Sequence, residues 1–270
     1  MIYPAVTPAI RSAFEGGYGL SLLAQSMGIV RKYGGALYNP SNMASLFQDS
    51  AGTIPVTAAG QPVGLMLDVS GNGNHAAQST TTARPTYQIV DGYPCIVGDG
   101  VDDFFSINPA FINGKSEVTV MAAIRKISDT ARQGIFRAAQ NVPADAEFRL
   151  DAPQIVNQQH VCFRSGSPAT FQAQASLAPT PAKAVLAGIG RITPPLVELR
   201  VNGVIAQSLT ANQGSAAYNA SSVWVFKEDP NNNYSSAAIF ALSVTPTILA
   251  EAKLTILTRF AASRSGVTLA

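Results

Sequence analysis

The feature that most constrains the fold of this chain is a long succession of short apolar segments separated by turn residues. From about residue 63 onward, segments of strand length alternate with clusters of Gly, Asn, Asp and Pro. Strands joined by turns give this pattern, whereas a parallel α/β sheet would need a helix between successive strands. The sequence therefore predicts an all-β fold, an antiparallel sandwich.

The clearest strand and the clearest hairpin illustrate the pattern. In residues 117–127, alternate positions are apolar, and one face is predicted to be buried: Val118, Val120, Ala122 and Ile124. In the hairpin LVELRV-NG-VIAQSL, Asn202 and Gly203 supply the two residues of positive φ that a type I′ turn requires. Further strands are predicted at residues 86–90, 104–107, 134–138, 147–150, 160–164, 184–192, 223–227 and 237–244.

A short helix is predicted within residues 1–36. Ser12 and Glu15 have capping-box spacing, and Gly34-Gly35 would end a helix whose apolar positions are Leu20, Leu23 and Met27. A second helical turn is predicted from Pro40 to Phe47, capped by Asn39.

A final helix is predicted to begin with Thr245 as its cap and Pro246 at its first position. Its apolar stripe, which should lie against the sheet, is Leu249, Ala252, Ile256 and Phe260.

The composition is that of one packed domain. The chain has 270 residues, of which 47% are hydrophobic and 13% charged, so it has enough apolar material for a continuous core. A sandwich of this size commonly forms a single domain. We therefore expect residues 37–270 to form the sandwich and residues 1–36 to form a docking or oligomerisation segment.

The charge distribution argues against two classes of partner. The 18 basic and 16 acidic residues are scattered, whereas nucleic-acid binding needs a concentrated basic face. No stretch approaches the about 18 consecutive apolar residues that a membrane-spanning helix requires, and residues 1–17 lack the pattern of a signal peptide. We expect no nucleic acid partner, no membrane insertion and no secretion signal.

The cysteines and histidines give no metal-binding pattern. Cys95 and Cys162 lie in segments that resemble strands, where a buried free thiol is the usual outcome and a disulfide the alternative. His75 and His160 lie far apart in the sequence, without zinc-ligand spacing. His75 is expected to form a hydrogen bond within its own loop.

Three stretches resemble known families. Residues 37–88, LYNPSNMASLFQDSAGTIPVTAAGQPVGLMLDVSGNGNHAAQSTTTARPTYQ, resemble the opening of a group of tailed-phage virion proteins. Residues 98–107, GDGVDDFFSI, are similar to the "FDGVDDYL" phrase of concanavalin A-like, or laminin-G-like, jelly rolls. The VNGV hairpin and the final helix resemble the end of the same fold. The chain departs from the pattern at Gly98, where an aromatic residue is usual.

This resemblance implies an antiparallel jelly-roll sandwich in a non-enzymatic structural protein of the phage virion, on the tail, fibre or capsid. Its partners would then be other virion proteins, and residues 1–36 would attach it to the particle. A homotrimer is expected, because virion appendages are usually symmetric. Two alternatives remain open: a receptor-recognition module that binds a bacterial surface glycan, and a glycan hydrolase of the glucanase-like fold.

The resemblance also allows a calcium site, although no cofactor is required. Laminin-G-like folds sometimes bind calcium near such loops, and the candidate ligands are Asp68, Asn72 and Asp103. The competing interpretation is structural, because Asx side chains in turns usually bind their own backbone.

For hydrolysis, the candidate carboxylates are Asp145, Glu147 and Asp151, which could share one strand face. Their spacing differs from that of the glucanases, which favours a solvated strand edge. No catalytic residue is therefore predicted.

For glycan binding, the candidates are Trp224, Tyr234 and Asn232, with Tyr218 nearby in sequence. A sugar site needs aromatic faces beside polar groups, and residues 228–236 form a polar loop. Trp224 alternates with apolar strand residues, so a core position competes with an exposed one.

Overall fold

The computed structural model describes residues 20–128, 133–139, 147–152, 158–164, 171–176, 182–210, 217–218, 220–227 and 233–270. The elements are two helices and a series of strands: α1 Leu22–Lys32, β1 Ala36–Tyr38, β2 Leu46–Phe47, β3 Leu65–Met66, β4 Ala76–Ala77, β5 Thr86–Val90, β6 Tyr93–Asp99, β7 Phe105–Ile107, β8 Glu117–Lys126, β9 Gly134–Ala139, β10 Glu147–Asp151, β11 Gln158–Arg164, β12 Phe171–Ser176, β13 Ala182–Arg191, β14 Leu196–Val201, β15 Val204–Leu209, β16 Ser222–Val225, β17 Ser236–Thr245 and α2 Glu251–Ser265.

The strands form two antiparallel sheets that pack face to face. Sheet A has the order β15-β14-β13-β8-β17-β6-β5, with β1 paired to the second half of β17. Sheet B has the order β12-β11-β10-β9-β16-β7-β4-β3-β2. The predicted antiparallel sandwich is confirmed.

The main core lies between the sheets and is lined by alternate residues of each strand. The four predicted inward positions of β8 are all buried there: Val118, Val120, Ala122 and Ile124. Phe105, Phe136 and Phe148 reach the same core from sheet B. The alternation predicted from the sequence therefore identifies the inner face of β8 correctly.

A second core covers the outer face of sheet A. Met121 and Ala123 of β8 point into it, together with Leu254, Leu257 and Phe260 of α2. The two helices contact each other and lie over this face. Both faces of β8 are therefore buried, which explains why β8 is apolar without interruption from Val120 to Ile124.

A β-bulge in β17 serves both cores. Its pairing with β8 shifts register between Ile239 and Ala241. Ile239 and Leu242 face the inner core, while Phe240 and Ala241 both face the helices. The additional residue gives the helices a second apolar side chain to pack on.

Helix α1 begins at Leu22 and ends at Lys32. Ser12 and Glu15 are outside the described residues, and the side chain of Ser21 caps the helix by accepting a hydrogen bond from the Ala24 amide at 3.2 Å. The predicted end is confirmed, because Gly34 has φ +70°, a conformation that glycine adopts without strain. The turn predicted at Pro40 is shorter than expected, a 3₁₀ turn over Met43–Ser45.

Helix α2 was placed too early by the sequence pattern. Thr245 ends β17, and the helix begins at Glu251. Leu249 and Phe260 are buried as predicted, whereas Ala252 is exposed and Ile256 only half-buried. The Glu117 carboxylate explains the delay, since it holds the connection by accepting hydrogen bonds from Thr247 Oγ1 at 2.9 Å and the Ile248 amide at 3.0 Å.

The remaining strand predictions agree with the structure within a few residues, and the NG hairpin is confirmed, with φ +53° at Asn202 and +91° at Gly203. Strand β6, strand β12 and the short strands β1 to β4 were missed. None of the helices among the described residues has the length and apolar character to cross a bilayer.

Candidate functional site

The outer face of sheet B carries charged and aromatic side chains that no helix covers within the described part of the chain. Strand pairing aligns four residues across this face: Ser106 on β7, Trp224 on β16, Arg137 on β9 and Arg149 on β10. Because side chains alternate along a strand, all four point away from the inner core. The candidate site lies here.

Trp224 lies neither in the core between the sheets nor fully exposed, the two positions that the sequence left open. Its strand neighbours Val223 and Val225 are in the inner core, so the indole lies on the outer face. It is only 8% exposed. The guanidinium carbon of Arg137 lies 5.6 Å from the ring centroid, and the Lys227 ammonium lies 5.1 Å from it. Trp224 is thus an outer-face residue flanked by two cations.

Three aromatic rings surround Lys227 in what we call the lysine cage. The Lys227 Nζ lies 4.8 Å from the Phe104 centroid, 5.1 Å from Trp224 and 5.2 Å from Tyr234. Phe104 and Tyr234 are half-buried, and their centroids are 6.0 Å apart. Each contact is a cation–π attraction, which strengthens as water is excluded.

The backbone at Phe226 forms this cage. Phe226 has φ +67°, a strained conformation for a bulky residue. It places the Phe226 ring in the inner core and returns Lys227 to the outer face, where Lys227 pairs with Tyr234 in an antiparallel bridge. A Cβ atom at Gly98 would lie 3.1 Å from the Phe226 ring. The aromatic residue missing at Gly98 is therefore replaced in space by Phe226.

An acidic loop directly precedes Phe104. Carboxylate oxygens of Asp99, Asp102 and Asp103 all lie within 4.8 Å of one another. The Asp99 carboxylate accepts a hydrogen bond from the Val101 amide at 2.8 Å, and Asp103 accepts one from the Asp99 amide at 3.1 Å. These are the bonds by which Asx side chains close a turn.

Burial, together with the nearby Asp99 and Asp102 carboxylates, raises the pKa of Asp103 from 3.8 to about 6. Since the folded protein holds this proton more tightly than the unfolded chain, the contribution of Asp103 to stability is greatest below about pH 4 and falls as the pH rises to about 6. We therefore expect Asp103→Asn to raise the Tm at pH 7 and to leave it nearly unchanged at pH 4. Thermal unfolding followed by circular dichroism at both pH values tests this; an equal shift at both would contradict it.

A buried ion cluster lies beside Trp224. Arg137 Nη2 binds Glu147 Oε2 at 2.9 Å, while Arg149 lies 3.7 Å from Glu147 and 3.4 Å from Asp151. Both carboxylates thus contact arginines, and Asp145 is outside the described residues. The expected solvated edge was wrong, because all four of these side chains are more than nine-tenths buried. The arrangement favours a structural role over an acid–nucleophile pair.

The SGNGNH loop clamps the end of α1. The Asp68 carboxylate accepts hydrogen bonds from the amides of Leu37 and Ser70, both at 2.9 Å, and of Asn74 at 3.2 Å. The Asn72 side-chain amide donates to the carbonyls of Val30 at 3.2 Å and Gly35 at 2.9 Å. Asp68 and Asn72 therefore satisfy backbone groups at the junction of α1 and β1.

The other residues of this loop have the same role. The Asn74 side-chain amide donates to the Gly35 carbonyl at 2.8 Å, and Arg31 Nε donates to the Ser70 carbonyl at 2.6 Å. His75 Nδ1 accepts a hydrogen bond from the Asp68 amide at 3.0 Å. This confirms the hydrogen bond predicted for His75 within its own loop.

The three predicted calcium ligands do not form one site. The Asp68 carboxylate accepts a hydrogen bond from the Leu37 amide, and Leu37 pairs with Ser243 of β17. The Asp103 carboxylate accepts one from the Asp99 amide, and Asp99 pairs with Ser236 of β17. Ser236 and Ser243 are seven residues apart on β17, or about 23 Å at roughly 3.3 Å per residue. One cation cannot bind Asp68, Asn72 and Asp103 together, so this prediction is corrected.

The other residues singled out from the sequence lie away from this site or outside the described residues. Tyr218 is buried between the sheets, edge-on to Phe148 at 6.3 Å, and does not belong to the site. Cys95 is a buried free thiol, as predicted. Asn232 lies outside the described residues, as do the side chains of Cys162 and His160 on β11.

The residue types of Trp224 and Tyr234 mark them as site candidates in the sequence, whereas Phe104, Lys227 and Arg137 were not predicted. Phe104 is the first residue of the strand predicted at residues 104–107, and its residue type does not indicate which face of the sheet it occupies. Lys227 and Arg137 gave no local signal, because their proximity to Trp224 depends on strand register. The alternation of Arg137 with Phe136 and Ala138 could have indicated an outward side chain.

Comparisons with known proteins identify a shared fold. No family model matches the chain, and no curated protein sequence is significantly similar to it. Among solved structures, the botulinum neurotoxin serotype G binding domain superposes with a TM-score of 0.57 at 8% identity, over 73% of this chain and 49% of that one. The serotype D ligand binding domain, solved in complex with N-acetylneuraminic acid, gives 0.55 at 10% identity, over 87% and 52%.

The binding domain of Paraclostridial Mosquitocidal Protein 1 gives 0.55 at 15% identity, over 72% of this chain and 49% of that one. The chain thus spans about half the length of the structures it matches. At these identities the likeness concerns the fold alone. The protein is an antiparallel β-sandwich of the kind found in the binding domains of these toxins.

Proposed function

We propose that the protein is a non-catalytic binding module that recognises a glycan at the lysine cage on the outer face of sheet B. The observation that carries this proposal is the convergence of three aromatic rings, from separate parts of the chain, around one lysine. Two of the rings, Phe104 and Tyr234, are half-buried and so present part of their surface to a ligand.

The chemistry of the cage suits a sugar. A pyranose offers an apolar C–H face and a rim of hydroxyl groups, and aromatic side chains beside a few fixed polar groups match both. Lys227 supplies N–H donors, and the rings around it restrict where the ammonium can point. Asn232, in the loop that leads to Tyr234, stays a predicted contact.

The fold comparison supports a binding role. The serotype D structure contains N-acetylneuraminic acid, and a ganglioside-dependent serotype is among the other matches. These ligands belong to whole binding domains, of which this chain matches about half. The comparisons agree with a module that binds rather than catalyses, and the arginine-bound carboxylates Glu147 and Asp151 agree with that assignment.

The proposal predicts that Tyr234→Ala weakens binding on a glycan array and to whole bacterial cells by about tenfold, because a central aromatic contact typically contributes more than ~1 kcal/mol. Tyr33→Ala is the matched control: Tyr33 also lies under a lysine, Lys253 at 5.7 Å, but near the helices that cover sheet A. Binding that is absent in the parent protein, or equally weakened in both variants, would overturn the proposal.

Display on a phage virion is the second proposal, and it rests on the resemblance of residues 37–88. A recognition module on a tail or fibre would serve host binding, so the two proposals are compatible. The virion partners, attachment through residues 1–36 and the homotrimer stay predictions. The described part of that segment, α1, packs on α2 and on sheet A.

A further inference from the structure

The lysine cage already holds a cation, and that cation belongs to the chain itself. The Lys227 Nζ lies 4.8, 5.1 and 5.2 Å from the centroids of Phe104, Trp224 and Tyr234. Among the described residues, no oxygen accepts a hydrogen bond from this ammonium and no carboxylate forms an ion pair with it. The rings are its close partners there, at distances typical of aromatic sites that bind ammonium groups.

Negative charge beside the cage has no cation partner in the described part of the chain. The carboxylates of Asp99, Asp102 and Asp103 lie within 4.8 Å of one another, and none of them forms an ion pair with a described lysine, arginine or histidine. This acidic loop directly precedes Phe104, one wall of the cage. Three carboxylates therefore accompany the single ammonium of Lys227.

The other charges near the cage do not reverse this balance. The buried ion cluster beside Trp224 contains two arginines and two carboxylates. The sequence adds Glu228 and Asp229 directly after Lys227. Carboxylates thus outnumber cations around three aromatic rings, and both features favour a ligand with a positive charge.

The strained backbone at Phe226 supports a binding role for the cage. Its φ of +67° is unfavourable for a bulky residue, and such outliers are concentrated at ligand-binding sites. A lysine that only covered apolar surface would not need this backbone, because long side chains reach over such surface from ordinary conformations. The cage is therefore maintained against a local conformational preference.

We propose that the lysine cage recognises an alkylammonium group, and that Lys227 occupies the cage until such a ligand displaces its side chain. Lysine has a flexible four-carbon stem, so its ammonium can leave the rings while the backbone stays in place. The neighbouring carboxylates can then pair with the displaced ammonium. The inference goes beyond the proposed function, because it applies equally to a free ammonium compound and to a glycan that carries one.

The test compares choline with 3,3-dimethylbutan-1-ol, which has nearly the same shape but carbon in place of the charged nitrogen. The full chain is titrated with each compound, and the fluorescence of Trp224, the single tryptophan of the sequence, reports on the cage. We expect choline to bind at least about tenfold more tightly than the neutral compound. Tyr234→Ala should abolish this preference.

Lys227→Ala removes the competing side chain and should raise the affinity for choline by about tenfold, because a tethered competitor acts at an effective concentration of about millimolar. Asp102→Asn, which leaves the two turn-closing aspartates in place, should weaken choline binding by about threefold. Lys253→Ala is the matched control, since Lys253 also lies over a tyrosine, Tyr33 at 5.7 Å, but near the helices that cover sheet A. It should leave choline binding unchanged.

Near-ultraviolet circular dichroism establishes that each variant is folded, and the preference of the parent protein for choline tests the inference even if Lys227→Ala does not fold. Equal binding of choline and the neutral compound would overturn the inference. Choline binding by Lys227→Ala alone would overturn the exchange, because Lys227 would then be a fixed part of the cage. Sugar binding that is lost in Tyr234→Ala, without any choline binding, would overturn this inference and leave the proposed function standing. Choline binding without any binding on the glycan array would do the reverse.

Discussion

Asp68→Ala is expected to lower the free energy of unfolding by about 2–6 kcal/mol, at roughly 1–3 kcal/mol for each of the two buried amides, those of Leu37 and Ser70, left without an acceptor. The Asp68 carboxylate is 5% exposed and accepts hydrogen bonds from Leu37, Ser70 and Asn74. Without this carboxylate, the connection between α1 and β1 should be less firmly held. Urea unfolding followed by circular dichroism measures the change.

Asp49→Ala is the matched control for this experiment. Asp49 also closes a loop through two amides, those of Thr53 at 2.9 Å and Ile54 at 2.8 Å, but in contact with solvent. Water can replace its carboxylate, so we expect a much smaller effect than for Asp68. Comparable losses in the two variants would show that burial does not determine the cost.

Glu147→Gln is expected to destabilise the protein by about 3–5 kcal/mol, because it removes the negative charge between two buried arginines. The side chain of Glu147 contacts Arg137 at 2.9 Å and Arg149 at 3.7 Å, and all three are about nine-tenths buried. Glutamine keeps the volume, so the experiment isolates the charge. The urea midpoint should fall without a change in the slope of the transition.

The exposed pair of Arg200 and Glu251 provides the comparison. Its distance is 2.7 Å, shorter than that of the buried pair, but the side chain of Glu251 is 67% exposed. Glu251→Gln should therefore change the stability by no more than about 1 kcal/mol. If Glu147→Gln were equally mild, burial would not determine the cost of removing this charge.

The strands could be predicted from the sequence because alternation and turn residues are local signals. Asn202-Gly203 determined one hairpin, and the inward positions of β8 followed from their period of two. The helix after β17 was misplaced, since Pro246 suits a first helical turn and only the distant Glu117 carboxylate shows why the chain stays extended there. Short strands such as β3 and β4 were missed because two residues have no period.

The candidate site was less predictable for a related reason. Trp224 and Tyr234 are conspicuous by residue type, but their neighbours are determined by strand register. Arg137 lies beside Trp224 only because β9 pairs with β16 in that alignment. The calcium site predicted at Asp68 and Asn72 was wrong for a different reason. These side chains have the chemistry of cation ligands, but in the structure they bind backbone amides and carbonyls around α1.

That clamp has a consequence for how the protein could vary. Asn72 and Asn74 hold α1 through the main-chain oxygens of Val30, Gly34 and Gly35, groups that every amino acid carries. These hydrogen bonds therefore do not depend on the identity of outward-facing side chains such as Gln25 and Lys32. Apart from Arg31, whose side chain binds the Ser70 carbonyl, the solvent side of α1 can therefore change, by evolution or by an engineer grafting an epitope, while α1 keeps its position on the sandwich.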